Sequence, residues 1–162
     1  MLFRLALCGA LAMASHAAQA QSSAPSPNGV RTLSPPGAIK NEGTWSLGAR
    51  AGDFIFVAGM QGVDPSTNKL VPDPEGRIRQ AFLNIRLIAQ SDGATLRDCV
   101  RLTIYVSDLA KVAQLVDKVQ AELWGKGPYP PRTMVEARRL FDDDIIEIDS
   151  VFYAPLNNPV KK

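Results

Sequence analysis

The stretch CVRLTIYVSDLAKVAQLVDKVQAELW, residues 99–124, contains a change of period that organises the rest of the chain. From Cys99 to Val106 the residues other than Cys99 and Arg101 are β-branched, aliphatic or aromatic: Val100, Leu102, Thr103, Ile104, Tyr105 and Val106 suit a pleated surface. At Asp108 the period changes. Leu109, Val112, Val116, Val119 and Leu123 recur at intervals of three and four, the buried stripe of an amphipathic helix over Leu109–Trp124. Asp108 can accept from the free N–H groups of its first turn. A strand that runs directly into such a helix predicts a sheet with helices laid against it.

Working outward, Gly125 to Pro131 must be irregular, and two strands follow at Arg132–Ala137 and Ile145–Tyr153. Upstream, Ile78, Ala81, Phe82, Ile85, Ile88 and Ala89 fall on one face of a helix from Glu75 to Ser91, closed by Asp92-Gly93. Before it, Val63–Pro74 carries turn chemistry at Asp64-Pro65 and Pro72-Asp73-Pro74 and reads as a loop. Thr44–Arg50 and Phe54–Met60 read as a hairpin about Ala51-Gly52-Asp53. The order is β-β-α-β-α-β-β, an α+β domain with two helices on one face of a mixed sheet. Apolar residues point to both faces, Val57 against Phe56 and Ile146 against Ile145, which predicts a second covering layer from another chain.

The N-terminus reads as a signal peptide over residues 1–20. Arg4 supplies a basic start, Leu5–Ala14 an apolar run too short for a membrane span, and Ala18-Gln19-Ala20 a small-residue cleavage site before Gln21. The expected destination is the periplasm or the exterior, with no membrane attachment after cleavage. Residues 21–28, rich in Ser, Pro and Ala, form a lead-in without periodicity, residues 29–156 the domain, and residues 157–162 a tail.

Two absences narrow the chemistry. The single histidine, His16, lies in the signal segment, as does Cys8, leaving Cys99 as the one cysteine of the domain. This excludes an internal disulfide, a Cys-based zinc cluster and any Ser-His-Asp or Cys-His mechanism within the mature chain. A net charge of +2 gives no general attraction to nucleic acid or anionic membrane. Arg138-Arg139 is followed at once by Asp142-Asp143-Asp144, so no lasting basic patch forms there.

Three stretches could carry chemistry: Phe54–Gln61, Pro130–Val135 and Ile145–Asp149. Glu147 is the informative residue, because a carboxylate between Ile146 and Ile148 costs free energy unless it is partnered or solvated in a cleft. A solvent-facing strand would also accommodate it, but Ile145, Val151 and Tyr153 share its face at period two.

From Val30 to Tyr153 the chain resembles the RidA (YjgF) family of reactive imine deaminases. The resemblance is carried by Ala58-Gly59-Met60-Gln61 with Val63-Asp64-Pro65, by Arg79-Gln80-Ala81-Phe82-Leu83-Asn84-Ile85, and by Pro130-Pro131-Arg132-Thr133-Met134-Val135 with Glu147 fifteen positions beyond Arg132. It implies a chorismate-mutase-like α+β fold and a homotrimer with a cleft at each subunit interface. It also implies hydrolysis of small carboxylated imines or enamines such as 2-aminoacrylate to a 2-keto acid and ammonia, with no metal or organic cofactor.

By the same resemblance Arg132 holds the substrate carboxylate through its planar fork, aided by backbone N–H near Gly59. Glu147 holds the attacking water, kept ionised by the arginine charge. The family's Tyr, Ser and Cys of the cleft wall correspond here to Trp45, Ala58 and Met134, and its Asn on the second helix has Asp117 as nearest counterpart. These departures make the wall more apolar and put the substrate in doubt. A non-enzymatic trimer binding carboxylated metabolites at Arg132 is the alternative. Nucleic-acid chemistry, described for relatives, fits the charge poorly, and chorismate mutase activity would rest on fold alone.

Overall fold

The computed structural model describes residues 24–156, so the expected signal peptide and the tail lie outside the described residues. The predicted period change at Asp108 is present. Strand β6 (Cys99–Val106) buries Leu102, Ile104 and Val106 on one side, and helix α2 (Leu109–Trp124) follows, with Asp108 Oδ1 accepting from Lys111 N at 3.1 Å. The helix ends at Gly125, whose φ of 69° suits a residue without a Cβ. Its stripe is rotated from the sequence reading. Leu109 is exposed and Leu123 only partly buried, while Val112, Val116, Val119, Gln120 and Trp124 face inward. Trp124 meets Phe82 edge-on at 5.7 Å between ring centres, so the larger aromatic takes the core position.

The other helix, α1 (Pro74–Ser91), begins where Asp73 accepts from Gly76 N at 2.6 Å and Pro74 occupies the first turn, where its missing N–H is harmless. Its whole predicted face, Ile78 to Ala89, is buried. It packs on strands β3 (Phe54–Gln61) and β8 (Ile146–Tyr153) and against α2.

Together with β1 (Arg31–Leu33), β2 (Gly48–Ala51) and β7 (Arg132–Glu136), these strands form a six-stranded sheet in the order β1-β2-β3-β8-β6-β7. Only β6 and β7 are parallel, joined by the α2 crossover; the other pairs are antiparallel. The mixed sheet and two helices agree with the α+β expectation.

Three features differ from the sequence reading. Strand β1 is additional. The first hairpin strand starts at Gly48, not Thr44, because Asn41 receives Gly43 N at 2.8 Å and donates to the Trp45 carbonyl, holding that segment as a turn. The loop before α1 contains a small hairpin, β4 (Val63–Asp64) with β5 (Lys69–Leu70), closed by Asp64 accepting from Ser66 N at 2.8 Å.

One sheet face lies under the helices and holds the core. The other is open in the single chain and carries large apolar groups. Phe54, Phe56, Val135 and Tyr153 are all more than 40% exposed there, with Phe54 and Tyr153 in tilted contact at 5.4 Å. Cys99 is buried, and desolvation pushes its thiol up to about 12, so it is inert at neutral pH.

A buried charge cluster ties the β2–β3 turn to the end of α1. Arg50 pairs with Asp92 and donates to the carbonyls of Asp92, Ala154 and Gly52, while Arg31 reaches the same carboxylate at 2.6 Å. Removing the shared anion leaves a guanidinium of 5% exposure uncompensated. Asp92→Asn should therefore lower the unfolding free energy by about 3 kcal/mol or more in urea titration. A loss within experimental error would show that the carbonyls alone satisfy Arg50.

Candidate functional site

The central strand β8 sets the geometry. Ile146, Ile148 and Phe152 are fully buried toward the helices, so the pleat turns Glu147 to the open face. Beside it, β3 contains a bulge: Val57 pairs with Ser150 and Met60 with Ile148, leaving Ala58 and Gly59 opposite Asp149 alone. The bulge brings the chain at Gly59 against the acidic side chain. A Cβ at Gly59 would lie 2.2 Å from Glu147 Oε1 and 2.8 Å from its carboxyl carbon. With the carboxylate in this position only glycine fits; a larger residue would push the Glu147 side chain aside. The Glu147 carboxylate is half-buried and accepts no hydrogen bond from the described residues.

Burial raises the Glu147 pKa above the ordinary carboxylate range, and the negative charges of Asp144 and then Asp149 add to the shift. Sequence reasoning expected Arg132 to hold this group ionised. In the single chain the charges acting on it are acidic, and the shift has the opposite sign. Asp144 is itself buried and pinned, accepting from Ile145 N at 2.6 Å, Gly62 N at 3.3 Å and Arg77 at 3.4 Å, which fixes the entry into β8.

Arg132 lies elsewhere. It opens the edge strand β7 in register with Leu102 and so faces α2, whereas Glu147 is in register with Tyr105 on the opposite face. Its guanidinium donates to Gln120 Oε1 at 2.6 Å and Asp117 Oδ1 at 2.7 Å. These three residues, with Ala121, Tyr129 and Pro130, line a cleft of about 370 Å³. Tyr129 is held by a hydrogen bond from its hydroxyl to the Gly125 carbonyl at 2.9 Å. Two residues on, Met134 shares the Arg132 side and packs partly against the core.

The structure thus places five of the six sequence-predicted residues in two groups and leaves Trp45 exposed in the turn before β2. Glu147, Gly59 and Ala58 gather at the bulge, and Ala58 N donates to the Leu47 carbonyl at 3.0 Å, two residues past the exposed Trp45. Arg132 and Met134 stand on the other face with Asp117 and Gln120. A single chain does not bring Arg132 and Glu147 together. Gln120 and Tyr129 were missed from sequence. The spacing of Asp117 and Gln120 by three marks one helix face, but nothing in sequence ties that face to Arg132. Among the described residues no group of three or more His, Cys, Asp or Glu is placed to hold a metal ion.

The family model described as Endoribonuclease L-PSP matches residues 36–153. A RutC family protein of Pyrococcus horikoshii is 36% identical over 117 residues, covering 72% of this chain and 91% of its own. The 2-iminobutanoate/2-iminopropanoate deaminase of Salmonella typhimurium is 29% identical over 123 residues, 75% and 94% of the two chains. Among solved structures, a probable translation initiation inhibitor from Rhodopseudomonas palustris superposes with a TM-score of 0.76 at 50% identity, over 78% of this chain and 98% of its own. With the bulge beside Glu147, the Arg132 strand and the β3-β8-β6-β7 arrangement all in place, the chain belongs to the RidA (YjgF) family.

Proposed function

We propose that this protein is a hydrolytic deaminase of small carboxylated imines and enamines, with each active site built from two copies of the chain. The observation that carries the reading is the Glu147 carboxylate, half-buried, without a donor among the described residues, and folded over the bare backbone of Gly59. A group of that kind can hold a water and take its proton. Arg132 supplies the complement, a guanidinium in a cleft with two donors engaged and the rest of its five N–H groups available for a ligand carboxylate.

Because the two groups stand on opposite sheet faces, one ligand can meet both only if Arg132 comes from one copy and Glu147 from its neighbour. The exposed apolar face of Phe54, Phe56, Val135 and Tyr153 favours such an assembly, a homotrimer in this reading. Bringing Arg132 of a neighbour near Glu147 would also lower the raised pKa toward a usable range.

In the reaction, an enamine first tautomerises to its imine. On the protonated imine, Glu147 takes one proton from water as the oxygen bonds to the imine carbon and the C=N electron pair moves to nitrogen, giving a carbinolamine. Glu147 then returns that proton to nitrogen, and the C–N bond breaks as the hydroxyl oxygen forms the carbonyl and gives its own proton to the departing ammonia, leaving a 2-keto acid and ammonium. Orientation within the cleft supplies much of the acceleration. Export and the periplasmic or secreted location form part of the proposal, resting on the sequence of residues 1–20. A binding role without turnover is the second reading. It is favoured by the wall residues Ala58 and Met134, which offer no polar side-chain group to a reacting imine.

Arg132→Ala and Glu147→Gln should each reduce deamination of imines generated in place by an amino-acid oxidase at least about a hundredfold. Refolded together in equal amounts, the two inactive variants should recover about a quarter of wild-type activity, since random assembly places both native residues at that share of interfaces. No recovery would rule out a site shared between copies, and wild-type turnover no faster than the uncatalysed reaction would leave the binding role.

The acid limb of kcat/KM gives a second test. Glu147 works ionised, so the rate should rise with pH through its pKa. Replacing Asp149 by Asn removes one of the charges that oppose ionisation and should move that limb to lower pH. An unmoved limb would mean that another group controls the profile.

A further inference from the structure

The arginine that holds the ligand carboxylate in this reading already has a carboxylate beside it. Asp117 Oδ1 accepts from Arg132 at 2.7 Å, and its side chain is 62% exposed toward the cleft that both residues line. The other oxygen, Oδ2, accepts from no described residue. Gln120, on the buried side, fixes the guanidinium from the other end at 2.6 Å. The cleft therefore presents a fixed cation and a fixed anion side by side, each with unused hydrogen-bonding capacity.

That pairing selects by charge. A ligand with a carboxylate and no cation brings a second negative group next to Asp117, and the two compete for one guanidinium. A ligand that also carries a protonated nitrogen one carbon away can place its carboxylate on Arg132 and its N–H on Asp117, so every charge in the cleft is matched. A carbonyl oxygen in the same place offers Asp117 nothing to accept.

Resting on the reading of Arg132 as carboxylate anchor, we propose that Asp117 is a specificity-determining residue that reads the protonated nitrogen of the ligand. The cleft thereby favours 2-imino and 2-amino acids over the 2-keto acid formed from them. In a deaminase the same contact speeds product release, because the nitrogen that Asp117 holds is the one that departs.

The test is calorimetry of the full mature chain with pyruvate, L-alanine and D-alanine, which share three carbons and differ in the nitrogen. The wild type should bind the better alanine enantiomer about tenfold more tightly than pyruvate, as expected for one charge-assisted hydrogen bond. Asp117→Asn should weaken alanine, strengthen pyruvate and so erase or reverse the ratio. A purely structural partner of Arg132 would weaken both ligands alike, and an unchanged ratio in Asp117→Asn overturns the proposal. A wild type that prefers pyruvate, or binds none of the three, also overturns it. If Arg132→Ala leaves all the affinities unaltered, the carboxylate anchor itself fails. If Arg132→Ala abolishes binding while Asp117→Asn keeps the ratio, only the role of Asp117 fails.

Discussion

The pleat of β8 is the constraint on which the rest of this molecule depends. Ile146, Ile148 and Phe152 are wholly removed from solvent beneath the helices, and at roughly 1.5–3 kcal/mol for each large apolar side chain they hold the strand's register firmly. Alternation then leaves Glu147 no choice of face. A slip of one residue would bury the carboxylate and expose three core side chains, so the apolar core positions an acidic group that it never touches.

The bulge in β3 completes that arrangement. Two residues opposite one give the strand a local bend, and the bend carries backbone without a side chain over Glu147. A Cβ at Gly59 would meet the carboxyl group, so any larger residue there would push the Glu147 side chain aside. The acid thus lies against bare backbone and accepts no hydrogen bond from the described residues. Asp144, pinned by backbone N–H groups and Arg77, keeps the entry to β8 in place and raises the pKa of Glu147 through its charge.

The Arg132 half follows a different logic. Its ion pair with Asp117 is partly solvated and worth about 1 kcal/mol or less, so it contributes little to the fold. The cluster of Arg31, Arg50 and Asp92 contrasts with it: buried and multiply bonded to carbonyls, it serves the fold. The two arginine–aspartate pairs share their chemistry and differ in burial, and burial decides which is structural and which stays accessible to solvent.

Local periodicity and turn chemistry, read without any structure, settled the order of the main elements, both helices with the Asp108 cap of the second, and the two-faced apolar pattern of the sheet. These are properties of neighbouring residues, and the physics that produces them acts over a few positions. Glu147 was visible for the same reason, as an acid within an apolar strand, whereas Arg132 and Gly59 stood out only through the resemblance of their motifs to a known family. Strand β1 and the β4–β5 hairpin were not visible, being only two or three residues long, too short for a periodicity to show. Tertiary structure alone decided that Arg132 and Glu147 point to opposite faces, because a side chain's face depends on the register of β7 against β6 and of β6 against β8. It also decided that Asp117 and Gln120 meet Arg132, a contact set by how α2 lies on the sheet, which no spacing along the chain encodes.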